Sequence, residues 1–336
     1  MNRFFSCAVL ALLAVVITPC LSAASFEEIR TNAQQGDASS QYRLAQRYEA
    51  GKDVDRDLAK AAEWYRKAAE QGHAKAQTNL GNFYRTGRGV EKDPSEAMDW
   101  YRKAADQGDT KAQINIAMMY ASGMGVEKDE AQGLKWLRRA ADAGDTQAMV
   151  HLGNMYRMGK SVEKDYGRSV QWFRKAAEQG DIIAQHNLGM SYFTGKGVKK
   201  DYAQSVRWHR KAADRGYPPA EYSMALRYAK GKGVEQDYAK AAEWYRKAAE
   251  QGHPSAQNNL GLMYRKGQGV TQDYAGAVKW FRQGAETGHP QAQYNLGNMY
   301  RKGQGVEKDP EEAKKWFRKS AKAGHKGAKK ALASMQ

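Results

Sequence analysis

The chain has 336 residues, 41% of them hydrophobic, with 54 lysines and arginines against 37 acids and a formal net charge of +17. Its two cysteines, Cys7 and Cys20, both fall within the first 24 residues, so beyond that point there is no disulfide, no thiolate nucleophile and no cysteine-rich metal site. No segment past residue 24 is apolar enough to span a bilayer, so a mature chain starting there has no membrane span.

Taken in chain order, the first element is a targeting segment. Arg3 precedes an apolar run from Phe4 to Ile17, and the small residues Ser22, Ala23 and Ala24 close it. This order predicts a secretory signal peptide over residues 1–24, cleaved after Ala24. An uncleaved anchor is the plain alternative, although the run is short for a span. Cys20 raises lipidation as a third reading, with Pro19 a poor context for it. Cleavage removes one basic residue and no acid, taking the charge from +17 to +16. The expected location is periplasmic or secreted.

After this segment the chain repeats itself every 36 residues. The tryptophans are Trp64, Trp100, Trp136, Trp172, Trp208, Trp244, Trp280 and Trp316, and Tyr48, Gly36 and Asp57 recur at the same interval without a break in register. Such a period is the mark of a stacked repeat architecture. Each unit reads as two helices. Helix A runs over about 74–86, with Ala76, Leu80, Gly81 and Tyr84 on one face. The turn Gly87-Arg88-Gly89-Val90 follows. Asp93 is placed to N-cap helix B, and Pro94 occupies its first turn, where a missing N–H is harmless. Helix B carries Ala97, Trp100, Tyr101, Ala104 and Ala105 and stops at Gly108. Truncating a central tryptophan such as Trp172 to Ala costs ~3–5 kcal/mol if it is buried.

The ends read as caps. Phe26 to Gln35 align with the second half of a helix B, with Ile29 in the aromatic column, and 326–336 align with a helix A whose Ala328 and Leu332 face inward. The expected organisation is a single solenoid over 25–336, with full repeats at about 37–324, an N-cap helix at 26–35 and a C-cap helix at 326–336.

The string Leu80-Gly-Asn-Phe-Tyr, then Gly-Arg-Gly-Val, Asp93 and Trp100-Tyr-Arg-Lys-Ala-Ala-Asp-Gln-Gly108 resembles the Sel1-like repeat family, a relative of the tetratricopeptide repeat. The resemblance covers residues 26–336. It implies an all-α fold, a right-handed α/α superhelix (solenoid) of eight 36-residue helix–turn–helix repeats with half-repeat caps, in which A helices line the concave side. It also implies an adaptor that binds other proteins. Departures are Lys52-Asp53 and Lys160-Ser161 in the turns, and Met224-Ala225 for Leu-Gly.

Columns that vary from repeat to repeat are the better candidates for a ligand surface. On helix A one such stripe carries Ile114, Met118, Val150, His186, Met190, Tyr222 and Leu226, apolar enough to floor a groove for a protein or peptide partner. Padding of the inner curve is the alternative. A neighbouring column holds Asn79, Asn115, Asn187, Asn259 and Asn295. In tetratricopeptide domains asparagines at this position hold a peptide backbone or a terminal carboxylate, and an amide offers both donors and an acceptor. A hydrogen bond between repeats would explain the same recurrence.

Helix B presents Arg66, Arg102, Arg138, Arg174, Arg210 and Arg246, each followed by a second cation. One reading is an anion-binding ridge for an envelope glycan or lipid. The other is a solvated face, since cations near a helix C-terminus and after an acid are ordinary stabilising placements. Nucleic acid is not expected as a partner of an exported chain. The Gly-x-Gly turns lie between helices and so are not phosphate loops. His73, His253, His289 and His325 lie one or more repeats apart, too far for one metal site, and a helix-capping role is expected. No Ser, His and Asp group stands apart from the repeats, so the expectation is no enzyme, no catalytic residue, no cofactor and no metal. A cysteine-rich secreted branch of the family is credited with β-lactam hydrolysis, but its paired cysteines have no counterpart here.

Overall fold

The computed structural model describes residues 25–335, so the leader predicted over 1–24 lies outside the described residues. All regular structure among them is helical, in eighteen helices. The A helices are α2 (Ala38–Ala50), α4 (Ala74–Thr86), α6 (Thr110–Ser122), α8 (Thr146–Met158), α10 (Ile182–Thr194), α12 (Pro218–Lys230), α14 (Pro254–Lys266) and α16 (Pro290–Lys302). The B helices are α3 (Leu58–Glu70), α5 (Pro94–Asp106), α7 (Glu130–Asp142), α9 (Tyr166–Glu178), α11 (Tyr202–Ala213), α13 (Tyr238–Glu250), α15 (Tyr274–Glu286) and α17 (Pro310–Lys322). Before them comes α1 (Phe26–Gln34), and after them α18 (Lys326–Ala333).

The recurring residues build each pair in the same way. At the start of α5, the Asp93 carboxylate accepts from the amides of Ser95 and Glu96, satisfying donors that have no intrahelical partner. The Asp93 amide in turn donates to the Tyr84 carbonyl at 2.9 Å, which closes the turn between α4 and α5. Gly89 takes φ +68°, and a Cβ there would lie 2.1 Å from the Leu58 carbonyl oxygen, so both conformation and space demand glycine. Ser161 holds the equivalent place in the α8–α9 turn at φ 60°. At the A helices, Nδ1 of His73, His253, His289 and His325 accepts the capping amide at 3.1–3.2 Å. The histidine column therefore caps helices.

The chain forms two compact units. One takes residues up to Ala112 together with Met124–Glu127, and the other Gln113–Gly123 together with Lys128 onward. In the first, α1 to α5 pack each on the next. In the second, α7 to α18 do the same. The deepest layer is the column that follows the tryptophans. Tyr65, Tyr101, Phe173, Phe281 and Phe317, one residue after the tryptophans, are fully buried. Trp172 is half-buried, with the Lys175 ammonium 4.6 Å above its ring, whereas Trp100, Trp244, Trp280 and Trp316 of the same column are buried. Gly81 answers the adjacent ring, since a Cβ there would come within 2.6 Å of Tyr101. Buried glutamines link successive helices: Gln41, Gln77, Gln185, Gln257 and Gln293 each donate to an alanine carbonyl of the preceding helix at 3.0–3.2 Å.

Candidate functional site

Where the repeats agree, the core is filled; where they disagree, the surface opens. In the second unit, Leu137 stands where other repeats place a buried ring, Gly133 where Ala61 and Ala97 stand, and Ala121 where Arg85 and Arg157 stand. Each exchange removes volume. The result is an apolar cleft of about 280 Å³ over α6, α7 and α8, with Ile114, Ala117, Met118, Leu134, Leu137, Met155 and Met158 among its walls. Glu130, His151, Asn154 and Lys160 supply a polar rim. Met118 and Met158 are 56% and 58% exposed, which is high for large apolar side chains.

Met158 also borders a second, more polar cleft of about 590 Å³, where Arg157, Lys164, Tyr166, His186, Asn187 and Met190 meet. His186 and Met190 in turn border a third, of about 280 Å³, with Phe193, Tyr222, Leu226, Arg227 and His253. The three clefts share walls and so run on along α6, α8, α10 and α12 within the second unit.

The structure thus brings Ile114, Met118, His186, Asn187, Met190, Tyr222 and Leu226 to one chain of clefts. Their accessibility differs sharply. Ile114 and Val150 are buried, while Met118 and Met190 are exposed. Tyr222 stacks on His253 with ring centroids 4.7 Å apart. Among the asparagines, Asn259 donates to the Tyr245 hydroxyl at 3.1 Å, and Asn295 is buried and donates to Asn258 at 2.8 Å. Asn79 lies beside the phenols of Tyr42 and Tyr65, and Asn115 is half-buried on α6. Sequence reasoning missed Leu134, Leu137, Met155, Met158, Phe193 and Arg227. The signal that finds Leu137, Phe193 and Arg227 is departure from the repeat's own consensus.

The same kind of departure gathers a polar cluster that sequence reasoning did not find. His209 replaces the buried ring of its column, and Arg227 replaces a core apolar residue. The imidazoles of His186 and His209 lie 5.2 Å apart, and the Ser205 hydroxyl is 3.2 Å from His209 Nδ1. Burial, then the Arg227 charge, pushes His186 down to about 4. Burial and the neighbouring His186 and Arg227 hold His209 well below the ordinary histidine range. Ser205 is fully buried.

The cations of helix B are tied within the fold. Arg66 bonds the Tyr84 hydroxyl, and Arg138, Arg174, Arg210 and Arg246 donate to Tyr156, Tyr192, Tyr228 and Tyr264 at 2.6–3.1 Å. Arg102 lies 3.7 Å from Asp99. The next cation along sits over its own tryptophan, as with Lys103 over Trp100 at 3.9 Å. Among the described residues no group of three or more His, Cys, Asp or Glu is placed to hold a metal ion, and no helix is long and apolar enough to cross a membrane.

The Sel1 repeat model matches eight consecutive segments of the sequence, from 38–73 to 290–325. Among solved structures, the chain is similar to a protective antigen of uropathogenic Escherichia coli strains that displays an SLR fold. The two are 37% identical with a TM-score of 0.79, over 93% of this chain and 67% of that one. It is also similar to a Sel1 repeat protein from Oxalobacter formigenes, at 35% identity and a TM-score of 0.74, over 92% and 90% of the two chains. No curated protein matches.

Proposed function

Because this chain belongs to the Sel1 repeat family, we propose that it is a non-catalytic scaffold that takes an apolar segment of a partner protein along the clefts of α6 to α12. One observation carries the reading: Met118 and Met158 stand more than half exposed on an apolar cleft created by the smaller residues Leu137, Gly133 and Ala121. An apolar hollow left open to water is costly unless something covers it, and methionine adapts to varied partners. The proposed place of action is the cell envelope or beyond it, after cleavage at Ala24. Arg3, the apolar run and the small residues before the cleavage point support this, as does the protective-antigen character of the E. coli relative. Intact mass of the protein recovered from the periplasm checks the cleavage.

The test places charge on exposed wall residues. Glutamate at Ile114 or Val150 would unfold the chain, since both are buried. Met118→Glu with Met158→Glu leaves the core intact. Crosslinked capture from an envelope fraction should fall at least ten-fold in the double variant, with an unchanged circular dichroism spectrum. Capture equal to wild type would sink the proposal. Binding through an apolar cleft also varies little between low and high salt, whereas an electrostatic ridge loses affinity steeply.

A further inference from the structure

One position exchanges a core side chain for a charge. Phe83, Met119, Met263 and Met299 fill it in other repeats, all buried. In α12 it is Arg227, 3% exposed. Arg47, in the first repeat, has Asp53 at 2.6 Å. Arg227 has no such partner: its Nε makes no hydrogen bond, and the guanidinium lies over the Phe193 ring, 3.4 Å from the centroid. His186 Nδ1 and His209 Nε2 are also buried without a partner. A buried cation with neither a carboxylate nor a hydrogen bond is a costly arrangement, relieved when a ligand supplies the anion.

The surroundings narrow that anion. The pocket beside Arg227 holds about 280 Å³, walled by Phe193, Pro219, Tyr222 and Leu226. A cavity of ~150 Å³ already takes a benzene ring, so an apolar body of about ten heavy atoms fits here. The guanidinium presents a planar fork that matches a carboxylate. Burial holds both imidazoles below the ordinary histidine range, and Lys230 stands exposed at the rim, so Arg227 is the buried cation of this pocket and its single charge suits a carboxylate monoanion. We infer that this pocket binds an organic monocarboxylate on an apolar body, the carboxylate meeting Arg227 and the body lying against Phe193, Tyr222 and Leu226. The inference rests on the scaffold reading for its place, since Met190, Tyr222 and Leu226 also belong to the proposed partner surface. It does not rest on that reading for its ligand.

The probe is 3-phenylpropionate, titrated into the full chain at pH 7 by calorimetry and by the ring resonances of His186. Saturable binding is expected, with the neutral amide at least ten-fold weaker and inorganic phosphate unable to compete. Arg227→Met, which installs the residue of the following repeat, should fold with an equal or higher Tm and lose the acid. Arg227→Gln, closer in size and polarity, gives the same outcome through a second variant. A phenylalanine-ended peptide distinguishes the source. Tighter binding than the free acid, abolished by C-terminal amidation, points to a chain terminus, and equal affinity points to a free small acid. No saturable binding of the acid, amide and acid of equal affinity, or undiminished binding in both variants would overturn the inference. Acid binding that survives Met118→Glu and Met158→Glu, in a chain whose partner capture is lost, separates the two sites; failure of the acid alone leaves the scaffold reading standing.

Discussion

A neutral imidazole accepts a hydrogen bond only until it is protonated. His73, His253 and His289 cap their helices as acceptors, and burial holds each below the ordinary histidine range. Burial, with the charges of Arg227, His253 and Arg157 added to it, holds His186 at about 4. The unfolded chain, at about 6.5, therefore takes up these protons before the folded one. Stability is fully present above pH 6.5 and is lost as pH falls toward 4. Urea unfolding at intervals from pH 7 to 4 should show that slope, and His186→Asn should flatten it; an unchanged profile would contradict the assignment. Burial also ranks the aromatic residues. Phe173→Ala should cost ~3–5 kcal/mol in the same assay, and Trp172→Ala clearly less, because only the first ring is fully enclosed.

At the level of the element, capping is a local device and should respond locally. The Asp165 carboxylate accepts from the Arg168 amide at 2.9 Å and starts α9. Asp273 precedes α15 without any side-chain capping bond. Asp165→Ala should therefore lose ~1 kcal/mol, and Asp273→Ala little, in thermal or urea denaturation. Equal losses would contradict a capping role for the Asp165 carboxylate, since alanine keeps the backbone bond to the tyrosine carbonyl that both positions make. These caps and turns were legible in the sequence because they depend on residues at most a few positions apart. The aspartates, the αL glycines and the apolar face of each helix recur at every 36 residues, so each copy corroborates the next.

For the molecule as a whole, stacking gives stability that is a sum over neighbours. Residues 254–289 form one family repeat, α14 and α15. Deleting that segment joins a B helix to the next A helix in unchanged register. The shortened chain should fold cooperatively, with a smaller denaturant m-value in proportion to the surface removed. Deleting α14 alone sets two B helices in succession and should abolish folding. If both deletions fold equally well, the helix pair is not the unit of assembly. The charge of +17 acts at this scale too, through repulsion between copies of the chain rather than through the choice of fold.

By itself the sequence determined the all-helical class, the register of eight repeats and the two-helix grammar within each. Hydrophobic periodicity and capping are carried by the local chain, and they were read eight times over. The same columns named the A-helix stripe but not its accessibility. Ile114 is buried and Met118, four residues on, is open to water, a difference set by what the facing helix contributes. Only the tertiary structure showed that Leu137 leaves a hollow and that Arg227 is buried without an anion, beside two neutral histidines. It also showed that the helix B arginines already hold tyrosines. Each of these depends on side chains from separate helices meeting in space, and a column read along the chain cannot show what it faces.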